Sequence, residues 1–386
     1  MMNVSDNIKY VGVDDLDIDL FESQYVVPEG MSYNSYVILD EKTVVMDTVD
    51  ARKTDEWINN VKAALGGRNL DYIVCLHMEP DHAGSMMKAL ETFPTAKVVG
   101  NAKTFTYMDQ FFDVNLEGKK VEVKDGESLS LGNHNLTFVC TPMVHWPEVM
   151  VAYESSEKVL FAADAFGKFG AISKDDGDWA CEARRYYFNI CGKYGVQVQS
   201  LLKKAAALDI KTIAPLHGPV LKENLGYYID LYNTWSSYGV ESEGVLVAFA
   251  SIHGNTRKAA EKIASILEKQ GAKKVVVSDL SRDDEAEVIE DAFRYGRMII
   301  AAPTYDGGLF PPMESFLSHL KSKNYQKRTV GIIENGTWAP MSGKFMKAAL
   351  EAMKDIKICE TVVTIKSALK ENQEDSLVAL AKEVLA

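Results

Sequence analysis

Four potential metal ligands lie within six residues, directly after the apolar run "YIVCL" at 72–76. They are His77, Glu79, Asp81 and His82. At the end of a buried strand these groups would repel one another or stay unsatisfied unless a cation joined them. Because alternate residues of an extended backbone point to one side, His77, Glu79 and Asp81 are expected to share a side. The cluster therefore predicts a metal site.

Three further candidate ligands stand at the exits of other apolar runs. His145 follows "LTFVCTPMV", Asp164 ends "KVLFAAD" and His217 follows "IKTIAPL". Each residue alone has an ordinary alternative, as a hydrogen-bonded histidine or as an aspartate that caps a helix. Together they place ligands at the exits of four strands, which is what a site on one rim of a layered α/β domain requires. Three histidines lack such neighbours and are left out of the predicted metal site: His134, His253 and His319.

A phosphate-binding loop is predicted at 251–256, "SIHGNT", between a strand and a helix. Backbone N–H groups at the helix N-terminus and the hydroxyls of Ser251 and Thr256 can hold a phosphate. The loop has no Lys or Arg and fits neither the Walker pattern nor G-x-G-x-x-G. Two more loops follow later strands, "APTYDGG" and "ENGTWAPMSGK", and Trp338 in the second can stack on a planar ring. The alternatives are a plain glycine turn and aromatic side chains, Trp338 or Tyr305, that only pack in the core.

The order of predicted elements divides the chain in two. Residues before about 240 mix strands and helices, including a hairpin formed by "SYVILD" and "KTVVMDT" and a helix, "GSMMKALETF", that ends before Pro94. From Val245 onward five strand–helix units alternate, which predicts a doubly wound parallel sheet with ligands at the carboxyl ends of its strands. The polar stretch 236–244 is the predicted linker. The predicted domains are 1–243 and 244–386.

Composition excludes several classes of protein. An apolar content of 47% with 25% charged residues is typical of a soluble globular protein, and no run approaches the ~20 apolar residues of a membrane helix. The N-terminus shows no secretory signal, so a cytoplasmic protein is expected. Residues 244–386 carry 20 Lys+Arg against 19 Asp+Glu, which leaves 22 against 36 in residues 1–243. This acidic part argues against nucleic acid as a partner.

The five cysteines form no C-x-x-C pair. The spacing therefore predicts neither a zinc ribbon nor a rubredoxin-type iron site within this chain.

The ligand pattern H-x-E-x-D-H, followed by a later His, Asp and His, resembles the flavodiiron variant of the metallo-β-lactamase fold. Hydrolases of that fold carry H-x-H-x-D-H and bind zinc, whereas here Glu79 replaces the second histidine. An added carboxylate makes the site harder and more anionic, which suits redox-active iron. The resemblance implies that two groups of residues each bind one iron and that Asp164 bridges the pair: His77, Glu79 and His145 for one, and Asp81, His82 and His217 for the other. Family members differ on whether the residue equivalent to His82 reaches the metal.

The second part of the chain resembles a flavodoxin that binds FMN. Flavodoxins usually read S/T-x-T-G-N-T at the phosphate loop, and His253 departs from that pattern. The resemblance implies that three loops bind FMN: Ser251, His253, Gly254, Asn255 and Thr256 in the first, Pro303, Thr304, Tyr305, Asp306 and Gly307 in the second, and Asn335, Gly336, Thr337 and Trp338 in the third.

The whole chain therefore resembles a flavodiiron protein, or A-type flavoprotein, with a metallo-β-lactamase-like αββα sandwich followed by a flavodoxin-like doubly wound parallel sheet. The resemblance implies FMN and two non-haem iron ions, and reduction of O2 to water, of NO to N2O, or of both. The electron donor is expected to be external: a rubredoxin, another reductase or a reduced deazaflavin coenzyme. A head-to-tail homodimer or a dimer of dimers is also expected, with no membrane partner.

Two other functions fit parts of the pattern. One is a zinc-dependent hydrolase of the metallo-β-lactamase fold fused to a flavodoxin-like domain, which Glu79 argues against. The other is an electron-transfer flavoprotein whose metal domain is inert. The residues at the site do not choose between O2 and NO as the substrate.

Overall fold

The computed structural model describes residues 4–175 and 177–386, so residues 1–3 and 176 of the predicted N-terminal domain lie outside the description. The chain divides into two compact units. The first contains residues up to 187 together with 196–233, and the second contains 188–195 together with 234–386. Within the described ranges, no helix has both the length and the apolar character that crossing a lipid bilayer would need.

The first unit is built on two sheets. The strands are β1 (Ile8–Tyr10), β2 (Val13–Asp15), β3 (Leu20–Phe21), β4 (Tyr25–Val26), β5 (Met31–Tyr33), β6 (Tyr36–Ile38), β7 (Val44–Met46), β8 (Tyr72–Val74), β9 (Lys97–Gly100), β10 (Lys120–Glu122), β11 (Ser128–Ser130), β12 (Asn135–Cys140), β13 (Met150–Glu154), β14 (Val159–Phe161) and β15 (Thr212–Ala214). The helices in this part of the chain are α1 (Thr54–Leu65), α2 (Pro80–Ala83), α3 (Met86–Thr92), α4 (Ala102–Phe111), α5 (Trp179–Tyr186), α6 (Gly195–Ala205) and α7 (Leu225–Ser236).

The two sheets have the orders β1-β6-β7-β8-β9-β10 and β11-β12-β13-β14-β15. The predicted hairpin is confirmed, since β6 and β7 are antiparallel with Tyr36 opposite Met46. The predicted helix "GSMMKALETF" is confirmed as α3. One apolar core joins the inner faces of the sheets, and each fully buried aliphatic or Phe side chain in it contributes about 1.5–3 kcal/mol. The core includes Ile38, Met46, Val74 and Val99 from the first sheet and Phe138, Met150, Phe161 and Ala214 from the second.

Parallel strand pairs determine where the chain leaves each sheet. β7 and β8 are parallel, and so are β14 and β15. The carboxyl ends of parallel neighbours lie at the same edge, so the residues just beyond β7 and β8 come together, and so do those beyond β14 and β15. The candidate metal ligands lie at these two sheet edges.

The second unit is the predicted doubly wound parallel sheet, with strand order β17-β16-β18-β20-β21. Its elements are β16 (Ser242–Phe249), α8 (Asn255–Lys269), β17 (Val275–Asp279), α9 (Glu285–Arg294), β18 (Tyr295–Tyr305), β19 (Gly308–Leu309), α10 (Pro311–Ser322), β20 (Gln326–Asn335), α11 (Ser342–Glu351), β21 (Lys354–Ile365) and α12 (Glu374–Leu385). β16, the first strand of this sheet in the chain, lies between β17 and β18. The strand order reverses at this point, so a ligand-binding crevice is expected beyond the carboxyl ends of β16 and β18.

Two segments from outside residues 244–386 belong to the second unit. In the first, the ring of Phe188 stacks on Phe293 at 4.2 Å. In the second, Arg328 donates hydrogen bonds to the main-chain oxygens of Tyr238 and Gly239, and Tyr238 is buried. The predicted linker 236–244 is therefore anchored to this unit. The boundary at 243/244 stays a prediction, and the contribution of 188–195 was not predicted.

His134 joins three turns at the end of the sandwich away from the strand exits. Its Nδ1 lies 2.8 Å from Oδ2 of Asp40 and its Nε2 lies 3.2 Å from Oε1 of Glu157. Asp40 belongs to the β6–β7 turn and Glu157 to the β13–β14 turn, so the ring links the two sheets. Burial disfavours a charge on His134, but the two carboxylates outweigh burial and raise its pKa. Burial also disfavours the charge on Glu157, yet hydrogen bonds from Ser5 and His134 lower its pKa.

We expect His134→Gln to destabilise the protein in a pH-dependent way. The folded-state pKa of His134 lies above the unfolded value of about 6.5, so the charged ring stabilises fully below that pH and less as pH rises through the folded pKa. The carboxylate partners stabilise above about pH 4 and less as pH falls through their lowered values. The loss should therefore be largest near pH 5–6, at about 1–3 kcal/mol. Urea unfolding of both proteins from pH 5 to 9 measures it.

His319→Gln in the second unit is the matched control, because that side chain is exposed and lies outside the sandwich. A stability difference for His134→Gln that stays constant across the pH range would contradict the assigned ion pairs.

Candidate functional site

The first group of ligands surrounds two carboxylate oxygens. Oε2 of Glu79 lies 3.1 Å from Nε2 of His77 and 2.9 Å from Nε2 of His145. Oδ2 of Asp164 lies 3.4 Å and 3.2 Å from the same two nitrogens. These four side chains each offer one atom to a common point, as metal ligands do.

The second group lies on the other side of Asp164. Oδ2 of Asp81 is 3.2 Å from Nε2 of His82 and 3.2 Å from Nε2 of His217. Oδ1 of Asp164 is 3.0 Å from the His82 nitrogen and 3.8 Å from the His217 nitrogen. Asp164 therefore turns one oxygen to each group, which is the arrangement of a carboxylate that bridges two cations. All seven predicted ligands are brought together.

One expectation about the backbone is wrong. The chain is extended only as far as Glu79, and Pro80 begins the one-turn helix α2 that contains Asp81 and His82. Proline favours the first position of a helix, since its fixed φ suits the turn and its missing N–H is not needed there. Asp81 therefore leaves the side shared by His77 and Glu79 and joins the second group.

Burial and unsatisfied atoms show that these residues fit a pair of cations. His77, His82 and His217 are fully buried, and Asp164 is 1% exposed. Within the described part of the chain, both carboxylate oxygens of Asp81 and of Asp164 lack a hydrogen-bond partner, as does Nε2 of His217. Buried carboxylates without hydrogen bonds are costly unless a positive charge lies beside them.

The charges of the protein's own side chains also favour positive charge at this site. Burial disfavours charge on His77, but the negative charges of Asp164 and Glu79 outweigh it and raise its pKa. Burial likewise opposes a proton on His145, yet the neighbouring carboxylates of Asp164 and Glu79 raise its pKa to about 9. Burial raises the pKa of Asp164, but the charges of His82 and His77 lower it overall. The site is thus strongly anionic and attracts positive charge.

Residues behind the ligands hold them in place, and the sequence did not predict these residues. Nδ1 of His77 lies 2.7 Å from Oε1 of Glu148, and Nδ1 of His217 lies 2.7 Å from the main-chain oxygen of Ser32. Asp47 accepts the main-chain N–H of His77. Asp47 follows the apolar run of β7 just as Asp164 follows β14, so the same strand-exit signal was available for it. Ser32 acts through its backbone and leaves no such signal.

A small cavity of about 290 Å³ opens in front of the two groups. Its wall includes Glu79 and Asp81 from the ligand set, and Phe21, Tyr33 and Arg52 beside them. Nη2 of Arg52 donates to the phenolic oxygen of Tyr33 at 2.9 Å. The cavity gives a small molecule access to the ligand side chains.

A second cavity, of about 530 Å³, lies in the second unit beyond the ends of β16, β18 and β20. Thirteen of the fourteen residues predicted from the three loops line it, and Gly254 instead precedes α8 with a φ of +83°. Because glycine has no capping side chain, the first N–H groups of α8 are left for an anion. Gly254 N–H donates to Oγ of Ser251 at 3.0 Å, which closes the loop.

The aromatic residues of this cavity are available to a ring. The side chain of Trp338 is 91% exposed and that of Tyr305 is 45% exposed, so the alternative in which they pack in the core is wrong. A planar, largely apolar ring with a phosphate at one end fits the exposed indole and the uncapped helix end. Four lining residues were not predicted: Ile252, Ala339, Met341 and Ser367.

Ser367 adds a fourth loop to the cavity. Its N–H donates to Oδ1 of Asn335, whose Nδ2 donates to Oγ1 of Thr256. Asn335 thus ties the phosphate loop to the loops after β20 and β21. Ser367 lies just beyond the last residue of β21, and the rule that ligands bind at strand ends could have identified it.

Comparisons with known proteins identify two domains in this chain. Residues 31–218 match the ODP family beta lactamase domain and residues 246–366 match a flavodoxin domain. An uncharacterized protein of Methanocaldococcus jannaschii is 31% identical over 83% of this chain and 81% of its own length. An anaerobic nitric oxide reductase flavorubredoxin of Vibrio vulnificus is 28% identical over 87% of this chain and 70% of its own. The structure of rubredoxin oxygen:oxidoreductase from Desulfovibrio gigas matches with a TM-score of 0.92 at 25% identity, covering 99% of this chain and 97% of that one.

We expect Asp164→Ala to cost more bound metal than His82→Ala. Removing Asp164 takes one oxygen from each group, so both metal positions should weaken, whereas a water molecule can replace one terminal imidazole. Metal analysis of the two purified variants should show nearly complete loss in the first and retention of most metal in the second. Circular dichroism checks that both variants are folded. Equal loss of metal in both variants would contradict the bridging role.

Proposed function

The chain belongs to the flavodiiron protein family, and we propose that it reduces O2 to water, NO to N2O, or both, with electrons that reach a non-haem diiron centre through FMN. The observation that carries this proposal is Asp164, whose two oxygens each face one complete group of ligands. The flavin cavity in the same chain supports it further.

Some residues of this chain would bind the metals, and others would line the path of the substrate. His77, Glu79 and His145 would hold one iron, and Asp81, His82 and His217 the other, with Asp164 shared between them. When bound, the two irons supply adjacent binding positions and electrons for a diatomic gas. Phe21 and Tyr33 restrict the cavity in front of them to small molecules.

The second unit would hold FMN by its phosphate and its ring. Ser251, Thr256 and the first turn of α8 would bind the phosphate, and Trp338 and Tyr305 would lie against the ring. When bound, FMN accepts electrons from a donor and passes them on one at a time. The donor itself is external in this proposal: a rubredoxin, another reductase or a reduced deazaflavin coenzyme.

The zinc-hydrolase alternative is weaker, because Glu79 lies between His77 and His145 at 3.1 Å and 2.9 Å and makes the first group more anionic. Such a group favours an ion that changes between the ferrous and ferric states. We also propose a cytoplasmic location for the protein, as expected from the sequence.

We expect native protein to contain about two iron ions and about one FMN per chain. After anaerobic reduction and mixing with O2 or NO in a stopped-flow instrument, flavin reoxidation with consumption of at least one gas is expected. Comparing the two rates establishes which gas is preferred. Zinc without iron, together with ester or lactam hydrolysis, would contradict the proposal. Reduced protein that consumes neither gas would instead favour an electron carrier.

We also propose a head-to-tail homodimer, or a dimer of such dimers, in which the flavin of one chain serves the metal centre of its partner. Electron transfer weakens steeply with distance, and one isologous interface would bring both pairs of cofactors together. Three apolar side chains that line the flavin cavity, those of Trp338, Ile252 and Tyr305, are exposed, and association would bury them. The near-neutral charge of 244–386 limits repulsion from the acidic part of a partner chain.

Mixing two inactive variants tests this arrangement. His77→Ala with Asp164→Ala removes the metal centre, and Gly254→Val disrupts the flavin loop, because a β-branched residue is strained at a φ of +83°. After subunit exchange, half of the dimers should be mixed and each should have one working pair, so roughly one quarter of wild-type activity should return. Mixed dimers that form but stay inactive, with wild type active as a monomer at high dilution, would contradict transfer between chains.

A further inference from the structure

The two groups of ligands differ in what lies behind their histidines. In the first group, Nδ1 of His77 faces a carboxylate, Oε1 of Glu148, at 2.7 Å. In the second group, Nδ1 of His217 faces a neutral acceptor, the main-chain oxygen of Ser32, also at 2.7 Å. Among the described residues, Nδ1 of His82 makes no hydrogen bond. The bridge and the number of terminal carboxylates are the same for both groups, so the main difference lies behind the imidazoles.

Glu148 is built into the protein as a buried acceptor. It is 1% exposed, and its Oε1 also accepts the main-chain N–H of Met78 at 2.9 Å. Its Oε2 has no hydrogen-bond partner within the described ranges. The charge of this carboxylate is therefore directed at His77, since little else stabilises it there.

A carboxylate behind an imidazole changes what the imidazole offers to a metal. By accepting a hydrogen bond from Nδ1–H, the carboxylate holds the tautomer in which Nε2 is the ligand atom, and it makes that nitrogen more basic. A more basic ligand stabilises the ion of higher charge more than the ion of lower charge. A neutral carbonyl behind His217 orients its ring as well but raises its basicity less.

We propose that Glu148 is a positioning residue that makes the two irons inequivalent, with the lower reduction potential at the iron held by His77, Glu79 and His145. If a fully ferrous pair lost one electron to an outside one-electron oxidant such as ferricyanide, that iron would become ferric. The iron held by Asp81, His82 and His217 would stay ferrous. No covalent bond to carbon, nitrogen or oxygen is made or broken in this step. The inference rests on the proposed function, because it requires iron in both groups.

A variant of Asp47 distinguishes the effect of the hydrogen bond between Glu148 and His77 from the effect of a nearby negative charge alone. Asp47 is also fully buried beside the site, but its Oδ1 accepts the main-chain N–H groups of Leu76 and His77. Within the described part of the chain, Asp47 makes no hydrogen bond to a ligand imidazole. Asp47→Asn therefore removes a nearby carboxylate while leaving the imidazole contacts unchanged.

The test is a redox titration of the full chain with FMN bound, for wild type, Glu148→Gln, Glu148→Asp and Asp47→Asn. Mössbauer and electron paramagnetic resonance spectra follow the two irons. Glu148→Gln keeps the shape and an oxygen for Met78 N–H but loses the charge. At a fixed applied potential, the ferric-to-ferrous ratio of the iron in the first group should fall about tenfold in this variant. This corresponds to a rise of ~59 mV in the reduction potential of that iron, a one-electron couple. Its affinity for that iron should fall roughly 10- to 100-fold.

Glu148→Asp should restore part of the difference, and Asp47→Asn should shift the potentials less than Glu148→Gln. Glu148→Gln protein that holds two irons with the wild-type potentials would overturn the proposal. An equal shift in Asp47→Asn would also overturn it, because charge alone would then explain the effect. Wild-type protein without iron would instead show that the proposed function has failed.

A second measurement does not require the Glu148 variants to fold. With wild type and His82→Ala each poised at one ferric and one ferrous ion, we expect the variant to differ from wild type in the ferrous Mössbauer signal and to have the same ferric signal. Iron content and circular dichroism confirm that the variant is loaded and folded. A change confined to the ferric signal would place the ferric ion in the second group and overturn the proposal.

Discussion

Buried carboxylates and histidines at the strand exits require cations, and much of the first unit is arranged around that requirement. Asp81 and Asp164 have oxygens without hydrogen bonds in the described part of the chain, and the histidines between them are fully buried. Without positive charge such a cluster costs several kcal/mol per ion. Metal binding therefore contributes to the stability of the fold as well as to chemistry, since the free energy of binding is released only when the strands are in place.

Parallel strand pairs are what make this concentration of charge possible. β7 lies parallel to β8 and β14 parallel to β15, so each pair delivers its following residues to the same edge. The apolar core between the sheets fixes the strands without using any of the ligands. The ligands are thus free to satisfy the metals, while the remaining hydrogen bonds, such as those from His77 to Glu148 and from His217 to Ser32, set the orientation of the rings.

Strand exits and short motifs were predictable, because both leave a local pattern in the sequence. An apolar run followed by a strong ligand identified His145, Asp164 and His217, and the loop pattern identified most of the flavin cavity. The turn at Pro80 was not predicted, since alternation alone treats the chain as extended through Asp81. Contacts that depend on distant pairing, such as Phe188 on Phe293, leave no local pattern either. Glu148 belongs to the same class, because its role appears only when His77 is packed against it.

The two units meet opposite electrostatic demands, and this accounts for the uneven charge of the chain. The first part, 1–243, has a net charge of −14 from 22 Lys+Arg against 36 Asp+Glu, and it gathers carboxylates to attract cations. In the proposed function the flavin unit accepts an anionic phosphate, and because its loop contains no Lys or Arg, backbone N–H groups and the hydroxyls of Ser251 and Thr256 would take that role. O2 and NO are uncharged, so an acidic surface neither attracts nor repels them. Charge in this protein can therefore contribute to cofactor binding, and in the proposed function the cavity in front of Glu79 and Asp81 would limit the substrate to small molecules.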